Sequence, residues 1–349
     1  CAMDIYTGEV VAMASSPTYD PNKFTHGINQ KDWQEIRNNP LKPLINKSIA
    51  GLYSPGSTFK PLVALAALEY GILDPNKTIR CKGHKHPYEL YGVKYHCWKK
   101  EGHGYMKLRN AIKQSCDIYF YEMARLLGVD KLSIIAKRYG LGTNVLGDLY
   151  NDEKNGLVPD TKWKRRALEQ SWYLGETVIN GIGQGYIQTT PLQLCLMTAQ
   201  IANGGYKIKP HIIKDESINY KDVINNINFV LDAMFGSTNE QYGTSYKSRY
   251  DDPKYQFAGK TGTSQVRRIT DLDRELDLDT DQIEYKKRDH ALYVAFAPYK
   301  DPRYAISVII EHGGSGSKAA APLASKLIKR IIDRHKLREQ FNNGNTSLA

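Results

Sequence analysis

The sequence has no long hydrophobic run, no internal repeat and no low-complexity tract. No stretch approaches the roughly 18 consecutive apolar residues of a transmembrane helix, so the sequence offers no candidate membrane span. The absence of repeats excludes solenoid and propeller arrays. What remains is a globular composition, 41% hydrophobic and 24% charged, over 349 residues. This length suffices for one large domain or two modest ones.

Cysteine is scarce, with five residues at positions 1, 81, 97, 116 and 195. Five is too few for a disulfide scaffold, and the number is odd. Three of the cysteines fall between residues 81 and 116, with several histidines between them. Cys195 stands between two leucines, which is typical of an inert core thiol.

Positive charge is in excess but is not concentrated. The formal net charge is +11, yet the basic residues are spread along the chain, with one tight group at Lys162, Lys164, Arg165 and Arg166. No zinc-finger or RNA-recognition spacing accompanies that group, which argues against a nucleic-acid partner. We therefore interpret the charge as a solvated lysine-rich surface, with attraction to an anionic polymer or membrane as the alternative.

Strand patterns stand at both ends of the chain. Residues 2–5 and 10–14 form a predicted hairpin, residues 255–266 a strand, and residues 291–299 and 304–314 a second hairpin. We expect one antiparallel sheet built from both chain ends and flanked by helices, an α/β fold of the α+β type. Because Cys1 stands at the start of a strand, we also expect an upstream part, including any anchor, to be missing.

Helical patterns fill the middle and the end. The apolar spacing after Ser57 predicts a helix ending at Gly71, and Thr190 with Pro191 predicts the start of another. Residues 107–139 are predicted to be helical twice, interrupted by "KQSCD". The last helix carries basic residues beside an apolar face (Leu323, Leu327, Ile328, Ile331 and Ile332). We expect that face to cover the sheet, the alternative being a membrane surface.

The connecting segments carry weaker signals. Residues 16–50 are predicted to be loop with one short helix, and residues 77–106 an irregular excursion containing His and Gly. Residues 214–250 are predicted to hold further helices and turns, and residues 267–289 a charged loop.

Three short motifs carry the chemistry: Ser57-Thr58-Phe59-Lys60, Ser115-Cys116-Asp117 and Lys260-Thr261-Gly262-Thr263. The first opens a helix, the second separates two helices, and the third lies on a strand. Each motif alone is weak evidence for a function, but the order of the three motifs and the elements that carry them are specific in combination. A serine hydroxyl needs a neighbouring base, and Lys60 can be one when desolvation and the charge of Lys260 disfavour its ammonium form.

With these motifs the sequence resembles the penicillin-binding proteins, most closely the class B, elongation-specific penicillin-binding protein 2 subfamily. The stretches "GEVVAMASSPTYDPN" (8–22), "YSPGSTFKP" (53–61), "GHG" (102–104), "GIGQGYIQTTPLQL" (181–194) and "GKTGTSQV" (259–266) carry the resemblance. It covers residues 1–349 as a transpeptidase domain alone. We expect the anchor and pedestal domain of the family to lie outside this sequence.

The resemblance implies a peptidoglycan D,D-transpeptidase in which Ser57 attacks the penultimate D-alanine of a stem peptide. Backbone N–H groups of Ser57 and Thr263 would form the oxyanion hole, and Ser115 with Lys260 would pass a proton to the leaving D-alanine. Thr261 and Thr263, on either side of Gly262, would hold the substrate carboxylate. A neighbouring stem-peptide amine would then take the acyl group, whereas a β-lactam would stay on Ser57.

The implied partners are stem peptides, β-lactams and a glycan-polymerising membrane partner, on the periplasmic side of a bacterial inner membrane. One departure concerns Asp117, where many relatives have asparagine. A carboxylate between two lysines opposes loss of the Lys60 proton. The penicillin-binding protein 2 subfamily commonly carries this aspartate, so it favours that subfamily.

Cys81, Cys97, His103 and Cys116 have the spacing Cys-x15-Cys-x5-His-x12-Cys. Three thiolates and an imidazole suit tetrahedral zinc, but no close cysteine pair is present. Spacing alone also allows three unrelated buried cysteines or a Cys81–Cys97 disulfide in an oxidising periplasm. His84, His86 and His96 are reserve ligands.

The resemblance adds support for zinc. Some members of the subfamily carry zinc here, with aspartates at the positions of Cys81 and Cys97. Zinc on Cys116 would fix the second motif, although acyl transfer itself needs no cofactor.

Three other functions share parts of this pattern. A β-lactamase or β-lactam sensor would use the same Ser57 and Lys60, but we find no convincing glutamate for deacylation. A D,D-carboxypeptidase would use water in place of the acceptor amine. A non-catalytic scaffold would have no reason to keep Ser57, Lys60 and Lys260 together.

Overall fold

The computed structural model describes residues 1–147, 150–213, 220–221, 227–267, 269–270, 273 and 278–344. The strands of these residues are β1 (Ala2–Asp4), β2 (Val10–Ala12), β3 (Ile79–Cys81), β4 (Tyr88–Leu90), β5 (Val93–Tyr95), β6 (Gly104–Met106), β7 (Tyr206–Lys207), β8 (Tyr220–Lys221), β9 (Ala258–Ser264), β10 (His290–Ala297) and β11 (Tyr304–Ile310). The α-helices are α1 (Gln30–Asn38), α2 (Lys47–Ala50), α3 (Lys60–Glu69), α4 (Leu108–Lys113), α5 (Asp117–Leu127), α6 (Val129–Arg138), α7 (Thr161–Leu168), α8 (Leu174–Asn180), α9 (Pro191–Ala202), α10 (Ile227–Asn239) and α11 (Ala321–Gly344).

The main sheet joins the two ends of the chain. Its five strands run in the order β2-β1-β11-β10-β9, and every neighbouring pair is antiparallel. Met3 of β1 pairs with Ala305 of β11, and Val294 of β10 pairs with Lys260 of β9. The prediction of one antiparallel sheet from both termini is therefore confirmed.

Strand β10 shows how the sheet is covered on both faces. Leu292, Val294 and Phe296 belong to the larger hydrophobic core, which also includes buried residues of α9 and α10. The alternating Tyr293 and Ala295 belong to a second core, which contains the start of α11. This period-two alternation is what a strand between two helical layers requires.

Helix α11 covers the sheet as the sequence predicts, but with part of its predicted face. Ile328 is 3% exposed, and the buried Ala321 and Ala324 lie beside it in the second core. Leu323 and Leu327 remain 42% and 38% exposed. Small alanines at the start of the helix allow it to approach the strands closely, and the bulkier leucines lie outside that contact.

Three segments differ from their predictions. Residues 77–106 are not irregular throughout, because β3 pairs with β6 and β4 pairs with β5. Residues 107–139 contain three helices rather than two, since Gly128, at φ 80°, separates α5 from α6. Residues 16–50 hold two short α-helices, and parts of 214–250 and 267–289 lie outside the described residues.

The predicted start of α9 is confirmed in detail. The Thr190 hydroxyl oxygen accepts a hydrogen bond from the backbone N–H of Gln193, and Gln193 Oε1 accepts one from the backbone N–H of Thr190. This reciprocal capping satisfies two backbone donors at a buried helix start. Among the described residues, no helix is long and apolar enough to cross a membrane.

Candidate active site

Ser57 lies in a 3₁₀ turn, Gly56–Phe59, that leads directly into α3. The backbone N–H of Lys60 donates to the Ser57 carbonyl, so the two residues stand three apart in one continuous helical segment. Residues three apart on a helix share a face. Ser57 is partly exposed, whereas Lys60 is completely buried.

Lys60 contacts both polar residues of the second motif. Its Nζ donates to the backbone carbonyl of Ser115 (2.9 Å), to Ser115 Oγ (3.1 Å) and to Asp117 Oδ1 (2.6 Å). These three bonds use all three donors of an ammonium group. Without them, a fully buried lysine would carry a large desolvation cost.

The third motif lies on β9, which runs against the turn that carries Ser57. A Cβ on Gly262 would lie 2.7 Å from Thr58 Cγ2 and 3.0 Å from the Pro55 carbonyl, and one on Gly56 would lie 2.4 Å from the Thr263 carbonyl. Gly56 also has φ 53°, which favours glycine. Glycine at both positions therefore lets Thr263 approach Ser57, with the Thr263 side chain exposed.

The two lysines and Asp117 form one electrostatic group. Burial, followed by the nearby charge of Lys60, holds the pKa of Lys260 well below its ordinary value, and Asp117 opposes this shift. Burial raises the pKa of Asp117 above its ordinary value, although the charge of Lys60 acts in the opposite direction. Lys260 is fully buried and donates to the Thr261 carbonyl (3.1 Å). The predicted site residues are thus in one place.

Sequence reasoning missed several residues that hold these motifs. Gln184 Nε2 donates to the Thr263 carbonyl (2.9 Å), and the Gly56 N–H donates to the Gly183 carbonyl (2.8 Å). Thr261 donates to Thr244 Oγ1 at 2.7 Å. The "GIGQG" stretch was a sequence signal for the contacts of Gly183 and Gln184, since three glycines and an amide are unusual in a hydrophobic helix. No sequence signal pointed to Thr244.

Trp98 was also missed, although it contacts the second motif directly. Its indole Nε1–H donates to the Ser115 carbonyl and its backbone N–H to Asp117 Oδ2, both at 2.9 Å. Ser115 itself has φ 58°, a left-handed conformation that is uncommon for a residue other than glycine.

The four predicted metal ligands meet beside this motif. The ligand atoms of Cys81, Cys97, His103 and Cys116 lie within 4.8 Å of one another, and all four residues are buried. His103 Nδ1 is 3.6 Å from Cys81 Sγ and 3.4 Å from Cys97 Sγ. Bond lengths at a tetrahedral zinc place such a sulfur and nitrogen about 3.6 Å apart. The residues present therefore fit a zinc ion.

The pKa shifts of the clustered cysteines are those expected of thiols that share one site. Hydrogen bonds from Cys116 and then Cys97 lower the pKa of Cys81 to about 3, whereas bonds to Cys81 and Cys97 raise that of Cys116 well above its ordinary value. All five cysteines are free, so the structure contradicts the Cys81–Cys97 disulfide. A thiolate in this cluster is ready to ligate a cation.

The reserve ligands lie outside the cluster. His84, His86 and His96 are not among the grouped ligand atoms, and His84 Nε2 instead lies 2.6 Å from the Cys97 carbonyl. Cys195 is a core thiol as predicted, fully buried, and burial raises its pKa to about 11.

Comparison with known proteins identifies the family to which the chain belongs. Residues 1–329 match the family model of the penicillin binding protein transpeptidase domain. The chain is 37% identical over 347 residues to the peptidoglycan D,D-transpeptidase MrdA of Salmonella typhimurium, covering 95% of this chain and 54% of that protein. The MrdA of Escherichia coli K12 is 35% identical, with 53% of its length covered. The chain therefore spans about half the length of the curated relatives it matches.

Two solved structures share the fold. Penicillin-binding protein 2 of Helicobacter pylori, in complex with MreC, superposes with a TM-score of 0.85 at 34% identity, over 95% of this chain and 59% of that one. Penicillin-binding protein 2 of Pseudomonas aeruginosa, in complex with WCK 5153, gives 0.79 at 38% identity, over 94% and 69%. With its three motifs gathered around Ser57, this chain belongs to the penicillin-binding protein transpeptidase family.

Proposed function

We propose that the chain is a peptidoglycan D,D-transpeptidase that forms an acyl-enzyme on Ser57. The observation that carries this proposal is the buried Lys60, three residues after Ser57 and bonded to both Ser115 and Asp117. A buried amine joined to a second hydroxyl can take a proton from one oxygen and return it through another.

Each motif has a role in the proposed reaction. Ser57 attacks the carbonyl of the penultimate D-alanine, and Lys60 accepts the hydroxyl proton. Ser115 and Lys260 then deliver a proton to the leaving D-alanine, and the backbone N–H groups of Ser57 and Thr263 stabilise the oxyanion. Thr261 and Thr263, around Gly262, hold the terminal carboxylate.

Lys60 Nζ is held against the second motif by three contacts, to the Ser115 carbonyl, Ser115 Oγ and Asp117 Oδ1. In the proposed reaction the amine form of Lys60 takes the Ser57 proton, and the contact with Ser115 Oγ keeps its nitrogen beside the hydroxyl that passes the proton on. The Asp117 carboxylate orients Lys60 Nζ through the 2.6 Å contact with Oδ1.

We propose zinc as a structural ion at Cys81, Cys97, His103 and Cys116. Zinc here would supply rigidity rather than acyl-transfer chemistry. Cys116 lies between Ser115 and Asp117, so a fixed Cys116 sulfur restricts the backbone that presents both of them to Lys60. The proposal is supported by the grouping of the four buried ligand atoms.

The substrate and partners follow from the same proposal. Stem peptides are the donors and acceptors, and β-lactams imitate the donor. The complex of the Helicobacter pylori relative with MreC supports an assembly with such a partner protein, and a similar chain in a peptidoglycan synthase complex that coordinates polymerisation and crosslinking supports a glycan-polymerising membrane partner. We place the domain on the periplasmic side of the inner membrane.

The acceptor distinguishes the proposed activity from its alternatives. The chain is incubated with a stem pentapeptide and an excess of a stem tetrapeptide whose free side-chain amine is the acceptor, and the products are separated by mass spectrometry. We expect the cross-linked dimer and free D-alanine, both absent with Ser57→Ala. Release of D-alanine without dimer would instead indicate a D,D-carboxypeptidase, and no D-alanine release would indicate a scaffold.

A further inference from the structure

Trp98 donates hydrogen bonds to two groups of the second motif that also accept from Lys60, the Ser115 carbonyl and the Asp117 carboxylate. Its indole N–H donates to the Ser115 carbonyl, which accepts the Lys60 Nζ–H as well, both at 2.9 Å. Its backbone N–H donates to Asp117 Oδ2, while Lys60 donates to Oδ1 of the same carboxylate. A carbonyl has two lone pairs and a carboxylate two oxygens, so each group is held from both sides.

The four residues therefore form a closed ring of hydrogen bonds. Lys60 and Trp98 lie opposite each other, with Ser115 and Asp117 between them. Ser115 is held in a left-handed conformation at φ 58°, which is strained for a residue other than glycine and persists only where the surroundings over-determine it. Two donors on its carbonyl are such a constraint.

The position of Trp98 is itself fixed from the cysteine cluster. It directly follows Cys97, and its ring packs edge-on against His103 with centroids 5.4 Å apart. The residue as a whole nevertheless remains 56% exposed. The side chain therefore contributes little to the core, and its ordered contacts are those with the second motif and His103.

We propose that Trp98 is a positioning residue for the acylation step. It holds the Ser115 carbonyl and Asp117 in the orientation that places the Lys60 amine against Ser57, without itself touching the reacting atoms. This inference rests on the proposed acylation of Ser57 and adds a residue outside the three motifs. Loss of the indole donor slows bond formation and leaves ligand binding unchanged.

The test is Trp98→Phe, which removes the indole donor but keeps an aromatic ring and the backbone N–H. Trp172→Phe is the matched control, because Trp172 Nε1–H also makes one hydrogen bond, to Thr177 Oγ1 at 2.8 Å. Acylation of the full chain by a fluorescent penicillin is followed over a concentration series. This separates the acylation rate constant from the dissociation constant of the preceding complex.

We expect Trp98→Phe to lower the acylation rate constant about tenfold, the effect of one lost hydrogen bond at a strained group. The dissociation constant, the thermal midpoint and the fraction of chains that acylate stay at the native values, and Trp172→Phe is unchanged throughout.

Three results would overturn the inference. An unchanged rate constant would show that the indole bond is without effect. A weaker dissociation constant alone would make Trp98 a ligand contact. A smaller acylating fraction with a normal rate would make its role purely structural. Failure of the native chain to acylate at all would refute the proposed function instead.

Discussion

We expect a Lys60→Met variant to acylate about a thousandfold more slowly than the native chain, which is the scale of a lost general base. Methionine matches the length of the lysine stem and suits a site that is fully buried. It cannot take the Ser57 proton, and it leaves Ser115 without its donor. The measurement is the second-order rate of acylation by a fluorescent penicillin, read on denaturing gels.

Lys164→Met is the matched control. Lys164 is 1% exposed and pairs with Glu176 at 2.5 Å, so both variants remove one partner of a buried ion pair. Such a loss typically costs about 3–5 kcal/mol of folding free energy. We expect both to be destabilised but only Lys60→Met to stop acylating. A Lys60→Met rate within tenfold of native would contradict the role of Lys60.

Removal of metal from the cysteine cluster lowers the thermal midpoint by at least about 10 °C, because binding energy at a structural site is folding energy. We expect the native chain, purified without chelators, to carry one zinc per molecule by elemental analysis. Acylation slows with metal loss, because the segment from Ser115 to Asp117 is then held less firmly. Both effects reverse when zinc is restored.

Cys97→Ser and Cys195→Ser separate this effect from the loss of a buried thiol. Both residues are fully buried, but Cys97 belongs to the cluster and Cys195 does not. We expect metal loss only in Cys97→Ser. A metal-free native chain that is indifferent to chelators would contradict the zinc site.

The sheet could be predicted because its signals are local. Strands β10 and β11 are mainly apolar runs of eight and seven residues joined by a short turn, and β9 carries a recognisable motif. The small sheets of residues 77–106 could not, since each of their strands is three residues long. A period of two is not detectable over three residues.

The candidate site likewise contains residues that could be predicted from the sequence and residues that could not. The three motifs and the Cys/His set are visible because each pairs specific residue types at short spacing. Trp98 and Gln184 are not, because their hydrogen bonds join residues that the fold brings together from distant parts of the chain. The left-handed Ser115 depends on such contacts too, since nothing in its own side chain favours that conformation.

The measurement that tests the central claim most directly is the intact mass of the chain after incubation with benzylpenicillin. It is made on the native chain, on Ser57→Ala and on Ser54→Ala, a partly buried serine three residues earlier. We predict one adduct of the full drug mass on the native chain and on Ser54→Ala, and none on Ser57→Ala. An adduct that survives in Ser57→Ala, or hydrolysed drug without an adduct, would contradict a slowly deacylating Ser57.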